Sequence, residues 1–476
     1  MKKVPLIAFL IILTALTMLA QGNPQEALLT ITHVNLIDAT GSPVQPDMTV
    51  TVRGDRIVKI EKTAKSKLPK DAKIPQGAKI IDASGKFLIP GLWDMHVHTI
   101  FGEWIPGGRE VSLPLFVANG VTGVRDMGGD LDTLLAWKRE ISAGTLLGPR
   151  MVIAGPMLDG PKSRFPSSLS IATPDEGRKA VDELKAKGVD FIKIQSFIPR
   201  AAYFAVVEEA KKQGLVFAGH VPDAIRAVEA SDAGQKSIEH LTGVFEGCAP
   251  AKVEDEFLKG KKGPKRFLET YDGARCAALI ARFARSRTWQ VPTLVWERGQ
   301  WLVDDIDFSH DPLLKYAPAS WQQKSWPSFI KGIIKDLDTD PVSVRREFVH
   351  KELEIVGAMH RAGVPLLAGT DTAAAVDVLP GFSLHQELEY FVQAGLSPME
   401  ALQTATRNPA EFLGLQNETG TVAKNKLANL VLLEANPLQD IRNTRKIWAV
   451  IMNGRLLTRT DLDRVLDQVS AFAASH

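Results

Sequence analysis

Two histidines, His96 and His98, stand two positions apart at the end of the apolar run KFLIPGLWDMHVH. In an extended chain the side chains at i and i+2 point to the same face, so this spacing suits a strand and lets both imidazoles reach one metal ion. Two partly exposed strand histidines would show the same spacing. The pair therefore raises a metal-site hypothesis that needs further ligands downstream.

Further polar residues lie in or close later apolar runs that have the length of buried strands. Lys193 lies in DFIKIQ, His220 closes LVFAGH, His240 closes KSIEH, and Asp371 closes VPLLAGTD. Imidazole nitrogens and a carboxylate are donors that Zn²⁺ and similar divalent ions accept. A shared metal site requires a fold that brings these run ends together.

These runs, with GLWDMHVH, GVTGVRDM, RMVIAG and WQVPTLV, make eight strand candidates between residues 91 and 416. Helical patterns separate most of them, and PDEGRKAVDELKAKG and RAAYFAVVEEAKKQG each end in a glycine that suits a helix C-cap. This alternation predicts an α/β fold, a (β/α)8 TIM barrel over residues 91–416, whose strands converge at their carboxyl ends on one mouth. The long connections 245–288 and 296–342 are expected to build the substrate pocket.

Both ends of the chain contain short β-rich runs with Gly, Pro and Asp turn signals, such as LLTITHVNLI near the start and KIWAVIMNGRLL near the end. Residues 23–90 and 417–476 are therefore expected to form one small β-sandwich domain, and a helical tail begins at about Asp461.

The N-terminus differs from the rest of the chain. Lys2 and Lys3 precede an apolar stretch that ends at about Leu19 in small and polar residues. This pattern predicts a cleaved signal peptide over residues 1–22 and a secreted or periplasmic protein that leaves the membrane after cleavage. A retained anchor is the alternative, although the run is short for a membrane span.

The remaining composition is that of a globular protein. The 57 Lys and Arg residues nearly balance 55 Asp and Glu residues, which gives no indication of nucleic-acid binding. The only cysteines, Cys248 and Cys276, suit an oxidising compartment, but sequence leaves their pairing open. It also leaves the oligomeric state open, a homo-oligomer included.

Lys193 needs a separate explanation, because a charged ammonium cannot bind a metal and is unfavourable when buried without a partner. A neutral lysine amine can capture carbon dioxide, and the resulting carbamate could bridge two metal ions. Pairing with a buried carboxylate such as Asp126 would equally satisfy a buried lysine. The strand pattern alone leaves both explanations open.

Together, DxHxH, the strand lysine, the two strand-ending histidines and the GTD segment resemble the metal-dependent amidohydrolase superfamily over nearly the whole mature length. The segment FAGHVPDAIRAVEASDAGQKSIEHLTG resembles the imidazolonepropionase-related branch, which includes secreted dipeptidases, prolidases and N-acyl amino acid hydrolases. In those members the lysine is carboxylated. Imidazolonepropionase itself usually lacks that lysine, so Lys193 argues against that activity.

The resemblance implies two divalent metal ions, most simply Zn²⁺, in this mouth. It assigns His96, His98 and Asp371 to one ion and His220 and His240 to the other, with carboxylated Lys193 and a hydroxide as bridges. Asp371 would then carry a proton from the attacking water to the leaving nitrogen.

The expected function is hydrolysis of a peptide-like or N-acyl amide bond in a small molecule: a dipeptide, an X-Pro dipeptide or an N-acyl amino acid. Tyr203 and Arg298 are candidates for substrate binding, although a packed tyrosine and a solvated arginine fit the same positions. Alternatives are a lactonase or phosphotriesterase, a cyclic amide hydrolase, or a non-catalytic binding barrel.

Overall fold

In the computed structural model, the residues that the structure describes are 28–65, 78–100, 106–163, 165, 167–260, 263–307, 309–337, 340–373 and 376–476. The predicted signal peptide, residues 1–22, lies outside them. Within the described ranges, every helix is too short or too polar to cross a membrane.

Strands and helices alternate through most of the chain. The strands are β1 Leu28–Leu36, β2 Gln45–Arg53, β3 Arg56–Lys62, β4 Lys79–Asp82, β5 Phe87–Pro90, β6 Leu92–Val97, β7 Val121–Asp126, β8 Arg150–Ile153, β9 Leu158–Asp159, β10 Leu169–Ser170, β11 Phe191–Ile194, β12 Val216–Gly219, β13 Ser237–Glu239, β14 Trp289–Val291, β15 Leu430–Leu433, β16 Ile447–Met452 and β17 Arg455–Thr458. The α-helices are α1 Leu113–Ala118, α2 Leu131–Ser142, α3 Pro174–Lys187, α4 Arg200–Lys212, α5 Ala227–Asp232, α6 Val244–Gly247, α7 Ala251–Phe257, α8 Pro264–Thr270, α9 Gly273–Ser286, α10 Leu294–Trp301, α11 Trp326–Leu337, α12 Val342–Arg361, α13 Phe382–Gln393, α14 Pro398–Thr404, α15 Arg407–Leu413 and α16 Arg459–Ser475. Short 3₁₀ segments cover Thr63–Lys65, Pro312–Tyr316 and Ile441–Arg445, and π-helical turns cover Gly108–Ser112 and Trp321–Ser325.

The two ends of the chain share one eight-stranded sheet. Its strand order is β17-β16-β15-β5-β1-β2-β3, and β4 pairs with β1. β15 pairs antiparallel with both β5 and β16, so it joins the early strands to the late ones. Both ends therefore contribute to one structure, while its arrangement as a two-layered sandwich stays a prediction.

The middle of the chain contains two parallel sheets. One has the order β6-β7-β8, and the other has the order β10-β9-β11-β12-β13-β14. Helices separate most of these strands. For example, α3 precedes β11, and α4 lies between β11 and β12. The result is a TIM-barrel-like α/β fold.

The eighth strand candidate, VPLLAGTD, forms isolated bridges rather than a named strand. Leu366 bridges Gln290 of β14, and Thr372 bridges Val97 of β6. The Asp371 amide donates to the His96 carbonyl at 2.7 Å, so the segment places Asp371 beside the first histidine. A Cβ on Gly369 would lie 2.8 Å from the His96 Cβ, so only glycine leaves room for the two segments to lie this close.

The two long connections fold into helices beside the parallel sheets. The first contains α6 to α9, and a disulfide joins Cys248 to Cys276 within it, which answers the pairing that sequence left open. The second contains α10 and α11 and leads into α12.

Candidate metal centre

Three predicted ligands converge at the ends of β6 and the eighth segment. One ligand atom from each of His96, His98 and Asp371 lies within 4.8 Å of the others. The Asp371 Oδ1 atom is 3.4 Å from His96 Nε2 and 3.2 Å from His98 Nε2. Three donors at this separation can share one cation.

The other two histidines adjoin this group. His240 Nε2 is 3.8 Å from Asp371 Oδ2, and the His240 ring lies 4.6 Å from the His96 ring and 4.9 Å from the His220 ring between centroids. The structure therefore brings all four predicted histidines and the aspartate together.

Each imidazole is oriented through its Nδ1 atom. His96 Nδ1 is 2.8 Å from Glu239 Oε2, and His98 Nδ1 is 2.8 Å from the Gly128 carbonyl. His220 Nδ1 is 2.8 Å from Ser196 Oγ. His240 Nδ1 is 2.6 Å from Thr293 Oγ1. Partners at Nδ1 fix the ring planes and direct the Nε2 atoms towards the cluster.

Burial and nearby positive charge favour the neutral form of three of these rings, those of His96, His220 and His240. Burial, followed by the charge of Lys193, lowers the pKa of His96 and His220 well below the usual histidine value. Burial also lowers the pKa of His240 well below that value. A neutral imidazole has the lone pair that a metal requires.

Lys193 lies in β11 and is 1% exposed. Burial lowers the pKa of its amine to about 8. Its Nζ atom has no hydrogen-bond partner among the described residues. Asp126, the alternative partner considered from sequence, instead accepts hydrogen bonds from Thr99 and from the Gly128 amide.

A buried ion pair lies behind the cluster. Arg125 of β7 donates to both carboxylate oxygens of Glu239 at 2.9 and 2.8 Å, and its Nε donates to the Met95 carbonyl at 2.6 Å. Because Glu239 also contacts His96 Nδ1, one carboxylate links β7, β13 and the metal-ligand ring. Sequence reasoning missed both charges, although Glu239 directly precedes His240.

A second carboxylate positions the segment that contains Asp371. The Asp94 Oδ1 atom accepts hydrogen bonds from the amides of His96 and Thr370, and its Oδ2 atom accepts one from Thr370 Oγ1 at 2.7 Å. Burial raises the pKa of Asp94 to about 7. The first residue of DxHxH thus connects β6 to the eighth segment.

The residues of the cluster line a cavity of about 710 Å³. Both long connections contribute to its walls, as expected from sequence. From the first connection come Phe245, Glu246 and Phe267, and from the second come Trp296, Glu297, Trp301 and Phe329. Such a volume suits a small-molecule substrate.

The two predicted substrate-binding residues are not among those that line this cavity. Tyr203 is fully buried in α4, and its hydroxyl donates to Gln235 Oε1 at 3.1 Å. Arg298 is half-buried in α10 and faces Asp377: burial raises the pKa of that carboxyl to about 6, and Arg298 opposes the rise. Neither side chain is therefore placed to contact a substrate in this cavity.

The model of the amidohydrolase family matches residues 87–277 and 294–457. The chain belongs to this family. It is thereby a member of the metal-dependent amidohydrolase superfamily and a hydrolase that acts on C–N bonds.

Individual relatives of this amidohydrolase are distant. Ochratoxinase from Aspergillus niger is 23% identical in an alignment 412 positions long that covers 75% of this chain and 72% of that protein. Imidazolonepropionase from Shouchella clausii is 24% identical in an alignment 449 positions long that covers 87% of this chain and 89% of that protein. A solved Xaa-Pro dipeptidase structure with bound methionine is 21% identical, covers 90% of this chain and 100% of its own, and has a TM-score of 0.66. At this identity the structural likeness shows the fold.

Replacement of Arg125 by methionine is expected to destabilise the amidohydrolase by about 3 kcal/mol or more, because it leaves the Glu239 charge buried without its partner. The free energy of unfolding from urea denaturation measures this effect. Arg287→Met is a matched control, since it breaks an exposed pair with Glu411 and should change that free energy by less than about 1 kcal/mol. Equal effects of the two substitutions would contradict the role given to Arg125.

Proposed function

We propose that this protein is a binuclear metal-dependent amidohydrolase that cleaves a peptide-like or N-acyl amide bond of a small molecule. The convergence of four imidazoles, Asp371 and a buried lysine without a hydrogen-bond partner among the described residues, all lining one cavity, carries the proposal. The classes of substrate are dipeptides, X-Pro dipeptides and N-acyl amino acids.

The residues fit a metal centre by their own chemistry. His96 Nε2, Asp371 Oδ1 and Lys193 Nζ are buried polar atoms without hydrogen-bond partners among the described residues. Buried polar atoms without a hydrogen-bond partner are unfavourable unless a bound ion, water or ligand interacts with them. A cation would satisfy the first two.

We assign His96, His98 and Asp371 to one divalent ion, His220 and His240 to a second, and Lys193 to both as a carbamate. The lowered pKa of Lys193 favours the neutral amine, whose attack on carbon dioxide forms a C–N bond and releases one proton. Zinc is the first choice for this set of nitrogen and oxygen donors. Bound there, the two ions would lower the pKa of water and polarise the scissile carbonyl.

Asp371 is proposed to move the proton. Its carboxylate faces the same cavity as the ligands, so it can accept a proton from the attacking water and deliver it to the leaving amine nitrogen. The new C–O bond forms first, the amide C–N bond breaks once its nitrogen is protonated, and the products are a carboxylate and an amine.

The wider assignments complete the proposal. We propose that β6-β7-β8 and β9-β11-β12-β13-β14 close into one barrel through residues 365–372, supported by the bridges at Leu366 and Thr372.

On the sequence alone, we also propose the domain limits 23–90, 91–416 and 417–476. The same basis supports a secreted or periplasmic location.

A hydrolysis panel tests the reaction class. We expect the metal-loaded protein to cleave dipeptides or N-acyl amino acids at rates that fall at least tenfold after chelation and return with added zinc. The solved Xaa-Pro dipeptidase of similar fold supports including Xaa-Pro substrates. Turnover of lactones or phosphotriesters, with no amide cleaved anywhere in the panel, would replace the proposal by one of those activities.

A further inference from the structure

Two glutamates adjoin each other in the wall of the cavity, away from the predicted ligands. Glu297 lies in α10 and Glu352 in α12, they are 5% and 2% exposed, and their carboxyl groups are close enough for each to affect the pKa of the other. Both line the cavity. Two buried carboxyl groups in contact repel when both are ionised, so they need a proton or a cation between them.

One carboxylate oxygen of this pair accepts a hydrogen bond from a described residue of the protein, and another does not. Trp301 Nε1 donates to Glu297 Oε2 at 2.9 Å. Glu352 Oε2 has no hydrogen-bond partner among the described residues, although it is buried in the cavity wall. An acceptor in this position can receive a donor from a bound molecule.

Aromatic rings surround the carboxyl groups. Phe348 lies one helical turn before Glu352 in α12, and its ring is 5.2 Å from Trp301 and 4.4 Å from Phe245 between centroids. These three rings line the same cavity. Aromatic faces beside carboxylates attract organic cations.

The charge of the cavity lining agrees with this arrangement. Its described residues include six carboxyl groups, those of Asp223, Glu246, Glu297, Asp340, Glu352 and Asp371. Lys193 is the only lysine among them, and no arginine lines the described part of the cavity. The part of the wall that Glu297 and Glu352 form therefore suits a positive group of the substrate.

We propose that Glu297 and Glu352, flanked by Trp301 and Phe348, form a subsite for a cationic group of the substrate, a guanidinium or ammonium. This inference rests on the proposed amide hydrolysis for its reaction and on the cavity wall for its specificity. Burial raises the pKa of Glu297 to about 8 and that of Glu352 well above its usual range, so the empty pair holds a proton. An entering cation takes the place of that proton between the carboxylates.

Dipeptides that contain arginine or citrulline at either position test the subsite, because citrulline keeps the shape of arginine without its charge. We expect the metal-loaded wild-type protein to have a kcat/KM at least about tenfold higher for an arginine peptide than for its citrulline counterpart. Glu352→Gln and Glu297→Gln should each reduce this ratio towards one. Glu411→Gln, which removes the same charge from the surface, should leave the ratio unchanged.

A wild-type ratio within about twofold, or a ratio that both glutamine variants retain, overturns the inference while amide hydrolysis stands. If no peptide is cleaved, a binding measurement tests the subsite separately from the proposed amide hydrolysis. The measurement is calorimetric titration of the metal-loaded protein with L-arginine and with L-citrulline. Preference for arginine that is lost in Glu352→Gln supports the subsite without the proposed reaction, and equal binding overturns the subsite.

Discussion

Replacement of Lys193 by alanine is expected to lower kcat/KM by about 10³-fold or more, equivalent to ~4 kcal/mol of activation free energy. Lys193 is buried, its amine has no hydrogen-bond partner among the described residues, and it lines the same cavity as His96 and His220. A carbamate beside ligands assigned to both ions should also set how many ions bind. Metal analysis should therefore find a lower content in the variant than the two equivalents expected for the wild-type protein.

Two further lysine variants sharpen this test. Lys193→Arg keeps a cation but cannot form the carbamate, so it should lose activity as Lys193→Ala does. Lys236→Ala removes a partly buried lysine whose Nζ lies 4.6 Å from the Phe412 ring centroid, outside the cavity, and should keep both activity and metal. Full metal content and activity in Lys193→Arg would contradict the carbamate.

Substitution of Asp371 by asparagine is expected to reduce kcat by about 10²–10⁴-fold, the range for loss of a general acid–base group. Asparagine preserves the size of the side chain and one oxygen near His96 and His98, but its amide cannot accept the proton. The expected loss is therefore larger in kcat than in KM.

Steady-state kinetics with a quantified metal content separates proton transfer from metal binding. Asp305→Asn is a matched control, because Asp305 pairs with Arg346 away from the cavity lining and should retain wild-type kcat. A metal-loaded Asp371→Asn protein with kcat within a few fold of wild type would exclude Asp371 as the proton carrier.

Residues at strand ends were the part of the site that sequence could predict. His96, His98, His220 and His240 follow or end apolar runs, and parallel strands bring such positions to one edge. Seven of the eight strand candidates correspond to strands β6, β7, β8, β11, β12, β13 and β14. The eighth, around Asp371, makes only isolated bridges.

Partners across the fold were not predictable in this way. Arg125 and Glu239 are ordinary charges in the sequence, and their mutual burial depends on the register between strands far apart in the chain. Glu297 and Glu352 lie on two separate helices, so only the packing of α10 on α12 brings them together. Tyr203 shows the converse: its sequence position left a substrate-facing and a packed side chain both open, and only the fold shows that the side chain is enclosed.

The sheet that unites both chain ends imposes an order on folding. β5 pairs with β15, so its edge stays open until residues 430–433 have been synthesised, long after every predicted metal ligand. Contacts between such distant segments close late, because a long intervening loop must first become compact. A chain shortened before β15 would therefore contain all the ligands yet lack the neighbour that covers β5, and we expect it to aggregate through that exposed edge.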